Sequence, residues 1–382
     1  MGPLAGVRVV EIAGIGPGPF TAMMLADMGA DVIRVDRANQ VRGGDPAIPP
    51  GDSLNRGRRS VGIDLKSPDG VETLLRLVEH ADALIEGFRP GVAERLGFGP
   101  DECLARNARL VFGRMTGWGQ DGPLAHTAGH DINYISIAGV LHTFAREGGQ
   151  PHPPINMVGD FGGGGMLLAF GLVCGILSAR STGEGQVVDA AMLDGAATLM
   201  SMIWAFKGMG IWDSDRPGTN LLDTGTHFYD TYRTSDDRWI SVGAIEPQFY
   251  TELLDRLGLA EEELPHQMDK NHWPELKERF AAVIATRTRD EWAEVFEGSD
   301  ACVAPVLSMD EATRHPHNVE RGVFVERDGI VQPAPSPRFS ATPGAIGRPP
   351  AHAGQHTDEV LSEWLSLDDA EIGALRDSGA VA

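Results

Sequence analysis

The feature that most constrains this chain is an alternation, through its first 200 residues, of short β-branched apolar runs with helix-length stretches. Val7–Ile12, Asp31–Val35, Ser60–Asp64, Ala81–Ile85, Leu110–Met115 and Gln186–Met192 read as strands. Between them, Phe20 to Met28 reads as a helix stopped by Gly29, and Pro68 starts another that runs to about Glu79. Apolar runs of strand length separated by helices predict a mostly parallel sheet with helices on its faces. The last run leads into a helix through about Phe206.

The pattern changes after Gly208. Asp213 to Gly225, rich in Gly, Asp and Asn, reads as a linker or long loop, and Phe228–Arg233 and Trp239–Gly243 read as a hairpin. Helices are expected at about 247–258, 274–286 and 288–297. The resulting division is a large α/β domain over 1–207 with a Rossmann-like parallel sheet, a linker over 208–227, a smaller α+β domain over 228–325, and a segment over 326–382 that returns to the large domain. Its stretch Gln332–Pro350 is proline-rich and extended, and the tail after Asp358 holds two short amphipathic helices.

Composition narrows the function classes. Thirty-two Lys and Arg against 54 Asp and Glu leave a net charge of −22, which argues against nucleic acid or an acidic membrane surface as partner. Three cysteines form neither a disulfide framework nor a metal-ligand spacing, so no metal is expected. The first residues lack the basic and apolar regions of a signal peptide, and the apolar stretch Met166–Leu177, about 12 residues, is too short to span a bilayer. No C-terminal Ser-Lys-Leu is present, so a cytoplasmic enzyme is the expectation.

The loop after the first strand, Gly14-Ile15-Gly16-Pro17-Gly18-Pro19, invites a dinucleotide-binding reading. It lacks the third glycine of that motif, and its two prolines remove amides that would cradle a pyrophosphate, so it reads as a tight strand-to-helix turn. Positive charge is scarce and its placement is informative. Arg34 and Arg37 end the second strand; Arg56, Arg58 and Arg59 precede the third; Lys66 follows the third, and Arg89 the fourth. Strand C-termini of a parallel sheet share one edge, so Arg37, Lys66 and Arg89 are expected to converge there on a phosphate-bearing ligand.

Three segments carry candidate chemistry. In Gly129-His130-Asp131-Ile132-Asn133-Tyr134 a histidine sits at an expected helix start, where it serves either as a proton carrier or as an ordinary capping side chain. In Gly159-Asp160-Phe161 the aspartate precedes Gly162–Gly165 and an apolar helix. A helix start favours a carboxylate, and four glycines, more than a cap requires, read as a surface that another molecule approaches. Glu246 lies between a strand and a helix of the smaller domain, a place equally suited to capping. The methionine-rich stretch Met192–Trp204 reads as core more readily than as an acyl-chain surface.

With these residues in view, the chain resembles the alpha-methylacyl-CoA racemase branch of the family III CoA transferase superfamily. The resemblance rests on Val9 through Pro19, Ala30–Arg37, Asp64-Leu65-Lys66, Arg114–Gln120, Ala128–Tyr134, Gly159-Asp160-Phe161, Gly183–Ala190 and Val242–Tyr250. It implies a CoA-binding large domain and an interlocked homodimer whose active site lies between the large domain of one subunit and the small domain of the other. It implies that His130 and Asp160 are the catalytic pair and Glu246 a supporting carboxylate. It further implies CoA and thioester contacts at Arg37, Ile63, Asp64, Leu65, Lys66, Arg89, Gly129, Asp131, Ile132, Asn133 and Tyr134. No cofactor is implied, CoA being part of the acyl-CoA substrate. Two departures, Thr224-Gly225-Thr226-His227 where relatives carry Gly-Gly-Ala-Pro and the turn Asp236-Asp237 in place of Asp-Gly, put the acyl pocket in question.

The implied reaction inverts a carbon next to a thioester carbonyl through an enolate. Two acid/base groups on opposite sides suit it, with backbone N–H groups near Asp131 or at the Asp160 helix start holding the enolate oxygen. The competing readings are a CoA transferase with Asp160 as covalent nucleophile, a branch that lacks the histidine at the position of His130, and a non-catalytic acyl-CoA binder.

Overall fold

A computed structural model describes residues 2–382. The chain divides into two compact units. Among the described residues the first comprises 2–138, 155–199 and 319–382, and the second 139–154 and 200–318. The segment 139–154, which the sequence reading left in the large domain, packs with the second unit.

The first unit is built on six parallel strands: β1 (Arg8–Ile12), β2 (Asp31–Arg37), β3 (Arg58–Ile63), β4 (Ala83–Glu86), β5 (Val111–Thr116) and β6 (Gln186–Ala191), in the order β3-β2-β1-β4-β5-β6. This is the doubly wound arrangement, with its reversal of strand order between β1 and β4. The near-continuous burial of β1 to β5 reflects helices on both faces. On one face, the helix Pro68–Val78 and the C-terminal helices Thr357–Leu365 and Asp369–Asp377 bury Leu74, Leu77, Val360 and Trp364. On the other, the helices Pro17–Asp27 and Leu167–Thr182 bury Leu25, Leu168 and Leu172.

Four of the arginines near the strand ends, none of them among the three cations expected to meet a ligand, are committed inside the fold. Arg34 pairs with Asp36 at 2.7 Å, Arg56 with Asp27 at 2.6 Å, Arg58 with Glu11 at 3.0 Å and Arg59 with Asp31 at 2.7 Å. Arg58 and Glu11 are fully buried, and Arg58 also donates to the carbonyl oxygens of Pro19 and Leu54, pinning the loop before β3 to the helix after β1.

The sequence reading stopped the apolar helix at a length too short for a bilayer. A π-helical segment Met157–Met166 instead runs into Leu167–Thr182, making a continuous helix of 26 residues, long and apolar enough to cross a membrane by length and composition, with one side buried against the sheet. Gly163 to Gly165 are packed against the protein's own atoms, Gly163 on the backbone of Gly195 and Ala196, Gly164 on Met192 and Gly165 on Phe20. A Cβ on Gly195 would lie 1.8 Å from the Gly163 carbonyl oxygen, and one on Gly165 would meet Phe20 and Pro17.

In the second unit β7 (Tyr229–Arg233) and β8 (Trp239–Gly243) form the expected hairpin, and β9 (Val303–Pro305) joins as a third strand that the sequence reading missed, being three residues long. The expected single helix through Phe206 breaks at Met200, and the helix Ser201–Gly208 buries none of its residues, so the core reading of this stretch fails for Met202 and Trp204. The hairpin β10 (Phe324–Arg327) and β11 (Ile330–Pro333), assigned to the first unit, was also unforeseen.

His227, one of the departures that put the acyl pocket in question, is a core residue. It is wholly buried among Phe228, Tyr250 and Phe280, with Nε2 2.8 Å from the Tyr250 hydroxyl. Burial, helped by the Lys277 ammonium, pushes its imidazole down to about 4. The fold thus prefers neutral His227, while the unfolded chain takes up a proton near the ordinary value of about 6.5. This contribution is present above pH 6.5 and is lost as the pH falls toward 4. Urea titrations between pH 7 and 4 are expected to show a stability loss in the natural protein that is shallower in His227→Gln.

Candidate active site

Reversal of strand order leaves a crevice beyond the C-terminal ends of β1 and β4, and a cleft of about 710 Å³ opens there. The loops after β1, β4 and β5 supply much of its wall, including Gly14–Pro17, Gly87–Pro90 and Gly117-Trp118. Arg37, Arg89, Gly129, His130, Tyr134 and Asp160 all line it, so two of the three expected cations and both members of the expected catalytic pair share one cavity.

The His130 wall is held by its own chain. His130 is the exposed residue before the helix Asp131–Ile137, and its amide donates to Asn133 Oδ1 at 3.1 Å. Asn133 is therefore the capping side chain of this turn. The Tyr134 hydroxyl donates back to the Gly129 carbonyl, and its ring meets Trp118 edge-on at 4.7 Å. Burial raises the Tyr134 hydroxyl above its ordinary value, which keeps it a neutral donor.

Asp160 lies in the first turn of the π-helical segment rather than at its cap. It is half-buried, and its Oδ2 accepts from Asn156 Nδ2 at 2.9 Å. Asn156, which also lines the cleft, was not singled out in the sequence; only its i, i+4 spacing from Asp160 signals it. The Asp160 amide was one expected holder of an enolate oxygen. It is already engaged, donating to Asp131 Oδ2 at 2.8 Å. The Asp131 amide donates to nothing among the described residues and remains the other expected donor. Asp131 itself is buried and does not line the cleft; burial, first of all, raises its carboxyl above the ordinary value, and the nearby Asp160 charge acts in the same direction.

The glycine loop after β1 serves this carboxylate. Gly16, at φ 69° and ψ −118°, packs so close that a Cβ would lie 3.3 Å from Asp160 Oδ2. Arg37 and Arg89 are exposed and enter no ion pair among the described residues, which leaves both guanidinium groups free for an anion. Arg89 follows a turn in which Glu86, a buried carboxylate at the end of β4, accepts the Phe88 amide at 2.6 Å.

Other expected contacts lie apart. Ile63 is buried in the core and bridges to Val381, so it offers a ligand no side-chain surface. Asp64, Leu65 and Lys66 follow β3 but do not line the cleft, and the Lys66 amide donates to Asp64 Oδ1 at 3.0 Å. Ile132 is partly exposed and also outside the lining. Glu246 belongs to the second unit, where it precedes the helix Pro247–Leu257. Among the described residues no cluster of three His, Cys, Asp or Glu side chains is placed to hold a metal ion.

The model of CoA-transferase family III matches residues 4–357. The chain belongs to this family. As a family III member it is 46% identical to alpha-methylacyl-CoA racemase of Mus musculus, over 94% of this chain and 93% of the relative, and 45% identical to that of Homo sapiens with the same coverage. Human succinyl-CoA:glutarate CoA-transferase is 28% identical over 99% of this chain and 90% of its own length. Among solved structures, Rv3272 from M. tuberculosis aligns with a TM-score of 0.76 at 26% identity, covering 93% of this chain and 98% of that one. A CAIB/BAIF family protein from Brucella suis shares the fold with a TM-score of 0.81 at 23% identity, over 95% and 99% of the two chains.

Gly16→Ala tests the close approach at the Asp160 carboxylate. A side chain at this φ costs about 1–3 kcal/mol, so thermal denaturation is expected to shift down while far-UV circular dichroism stays unchanged.

Proposed function

We propose that this protein is a racemase interconverting the (2R) and (2S) forms of 2-methylacyl-CoA thioesters, a reaction carried by His130 and Asp160. The observation that carries this reading is the placement of an exposed imidazole and a half-buried carboxylate on the wall of one cleft, in a chain nearly half identical to two racemases. One of the two takes the α-proton. The electron pair of that C–H bond moves into the carbonyl, giving an enolate, and the other group returns a proton to the opposite face. Either member is base in one direction and acid in the other.

Asn156 holds the Asp160 carboxylate during the transfer, and the Asp131 amide is the donor for the enolate oxygen. Arg37 and Arg89 take the phosphates of CoA, whose remote binding energy fixes the reacting carbon. In this reading CoA is part of the substrate and no separate cofactor takes part. We propose further that two copies associate and that Glu246 of one copy completes the site of the other. The exposed apolar residues Phe170, Val173 and Leu177 on one helical stripe supply a surface for such a partner.

Incubation of either enantiomer of a 2-methylacyl-CoA in D₂O is expected to give inversion with deuterium at the α-carbon. His130→Ala and Asp160→Asn are each expected to lower kcat by at least 10²-fold. Full activity in His130→Ala ends the assignment. A hydroxylamine-trapped acyl group on Asp160, without isotope exchange, favours the transferase reading. Arg37→Ala and Arg89→Ala are expected to raise KM with little change in kcat, and the rise is expected to shrink at high salt, where the natural protein also loses affinity.

A further inference from the structure

We infer that Asp131 is a positioning residue, its buried carboxylate tying the turn that carries His130 to the turn that carries Asp160. The inference rests on the reading of those two side chains as the proton-transfer pair. The backbone amide of Asp131 is the proposed donor to the enolate oxygen, whereas its carboxylate serves a different purpose: the residue is 5% exposed and the carboxylate is turned to the Asp160 turn. Oδ2 accepts the Asp160 amide at 2.8 Å, the Gly159 amide is directed at the same carboxylate, and Oδ1 has no partner among the described residues.

Such an arrangement is costly. A carboxylate is buried beside a second carboxylate with one oxygen unsatisfied. What it gains is geometry. Asp131 follows His130 directly, so the hydrogen bond that the Asp160 amide donates to its carboxylate links the two reacting residues through one side chain. A bond to a charged acceptor is roughly twice as strong as a neutral one, which suits a tether between two elements. The residue opposite is a glycine for the same reason: a Cβ on Gly159 would lie 2.5 Å from Asp131 Oδ2.

The mechanism predicts which substitutions matter. Asp131→Ala removes the tether. Asp131→Asn keeps it, because an amide oxygen in the Oδ2 position still accepts the Asp160 N–H. Gly159→Ala keeps both carboxylates and forces them apart. The experiment measures inversion and α-deuterium uptake for both enantiomers of a 2-methylacyl-CoA with the intact protein and these three variants, alongside Tm and far-UV circular dichroism. Displacement of a reacting group by about 1 Å costs on the order of 10²-fold, so Asp131→Ala and Gly159→Ala are expected to lose roughly 10–100-fold in kcat in both directions, with KM within about twofold. Asp131→Asn is expected to stay within about fivefold of the natural protein. Should Asp131→Ala fail to fold, the contrast between Asp131→Asn and Gly159→Ala carries the test.

A kcat for Asp131→Ala within twofold of the natural protein overturns the inference. So does a rise in KM at constant kcat, which marks a substrate contact, and so does an Asn variant as impaired as the Ala variant, which marks a need for charge. Absence of exchange in the natural protein overturns the racemase reading itself, and the inference falls with it.

Discussion

The site depends on one steric constraint: backbone lying directly on backbone where Gly163 meets Gly195. No side chain fits between the two, since a Cβ at Gly195 would fall inside the Gly163 carbonyl. Close approach here seats the π-helical segment against the helix Met192–Leu199 on one side and the helix after β1 on the other. Thr21 Oγ1 reinforces the second contact by donating to the Gly165 carbonyl at 2.9 Å, and Phe161 packs on Phe20 at 5.0 Å. Asp160 emerges from that wedge beside Gly16, at the reversal point of the sheet. Packing of this density is stiff, so the carboxylate is held by the body of the fold rather than by a free loop.

Much of this architecture is legible in the amino-acid order, and the legible part follows a physical rule. Strands buried on both faces are rich in apolar and β-branched residues, so β1 to β5 announce themselves as short runs despite their internally paired charges, and their boundaries shift by only a residue or two. Short elements escape because their periodicity never accumulates. β9 has three residues and β10 and β11 four each, and their pairing depends on distant chain rather than local pattern. The glycine run illustrates a different failure. Glycine reports that something comes close, but it does not report whether that neighbour is a ligand or the protein's own helix.

Charge shows the same division at the level of the site. Seven cationic residues near strand ends look alike in the sequence, yet four of them are spent inside the protein on Asp36, Asp27, Glu11 and Asp31. Arg34 and Asp36 are neighbours on β2, but Arg58 and Arg59 of β3 reach Glu11 on β1 and Asp31 on β2, and Arg56 reaches Asp27 in the adjoining helix, so three of the four pairings are decided by the fold and not by sequence proximity. What remains at the cleft is Arg37 and Arg89. Local context singled out His130 and Asp160 as candidates but left His130 open between proton carrier and cap, and their restraints were not legible at all, because Asn156, Asp131 and Gly16 act across turns and across the fold.

The uncovered helix face bears on what the chain associates with. Phe170, Val173 and Leu177 lie at i, i+3 and i+7 and are exposed, a stripe that by composition suits either lipid or protein. The opposite face of the same helix favours the protein partner proposed above. Leu172 and Leu168 press on Gly113, and Gly175 presses on Val111, so the helix is fastened along its length to β5. Submerging it would carry the neighbouring edge strand β6 along. That strand exposes Gln186 and Asp189 and has no partner on its outer side among the described residues. Open strand edges and carboxylates are not tolerated in hydrocarbon, where each unsatisfied backbone group costs several kcal/mol. A protein surface meets no such objection, because it can be apolar over the stripe and polar over the strand edge within the same contact.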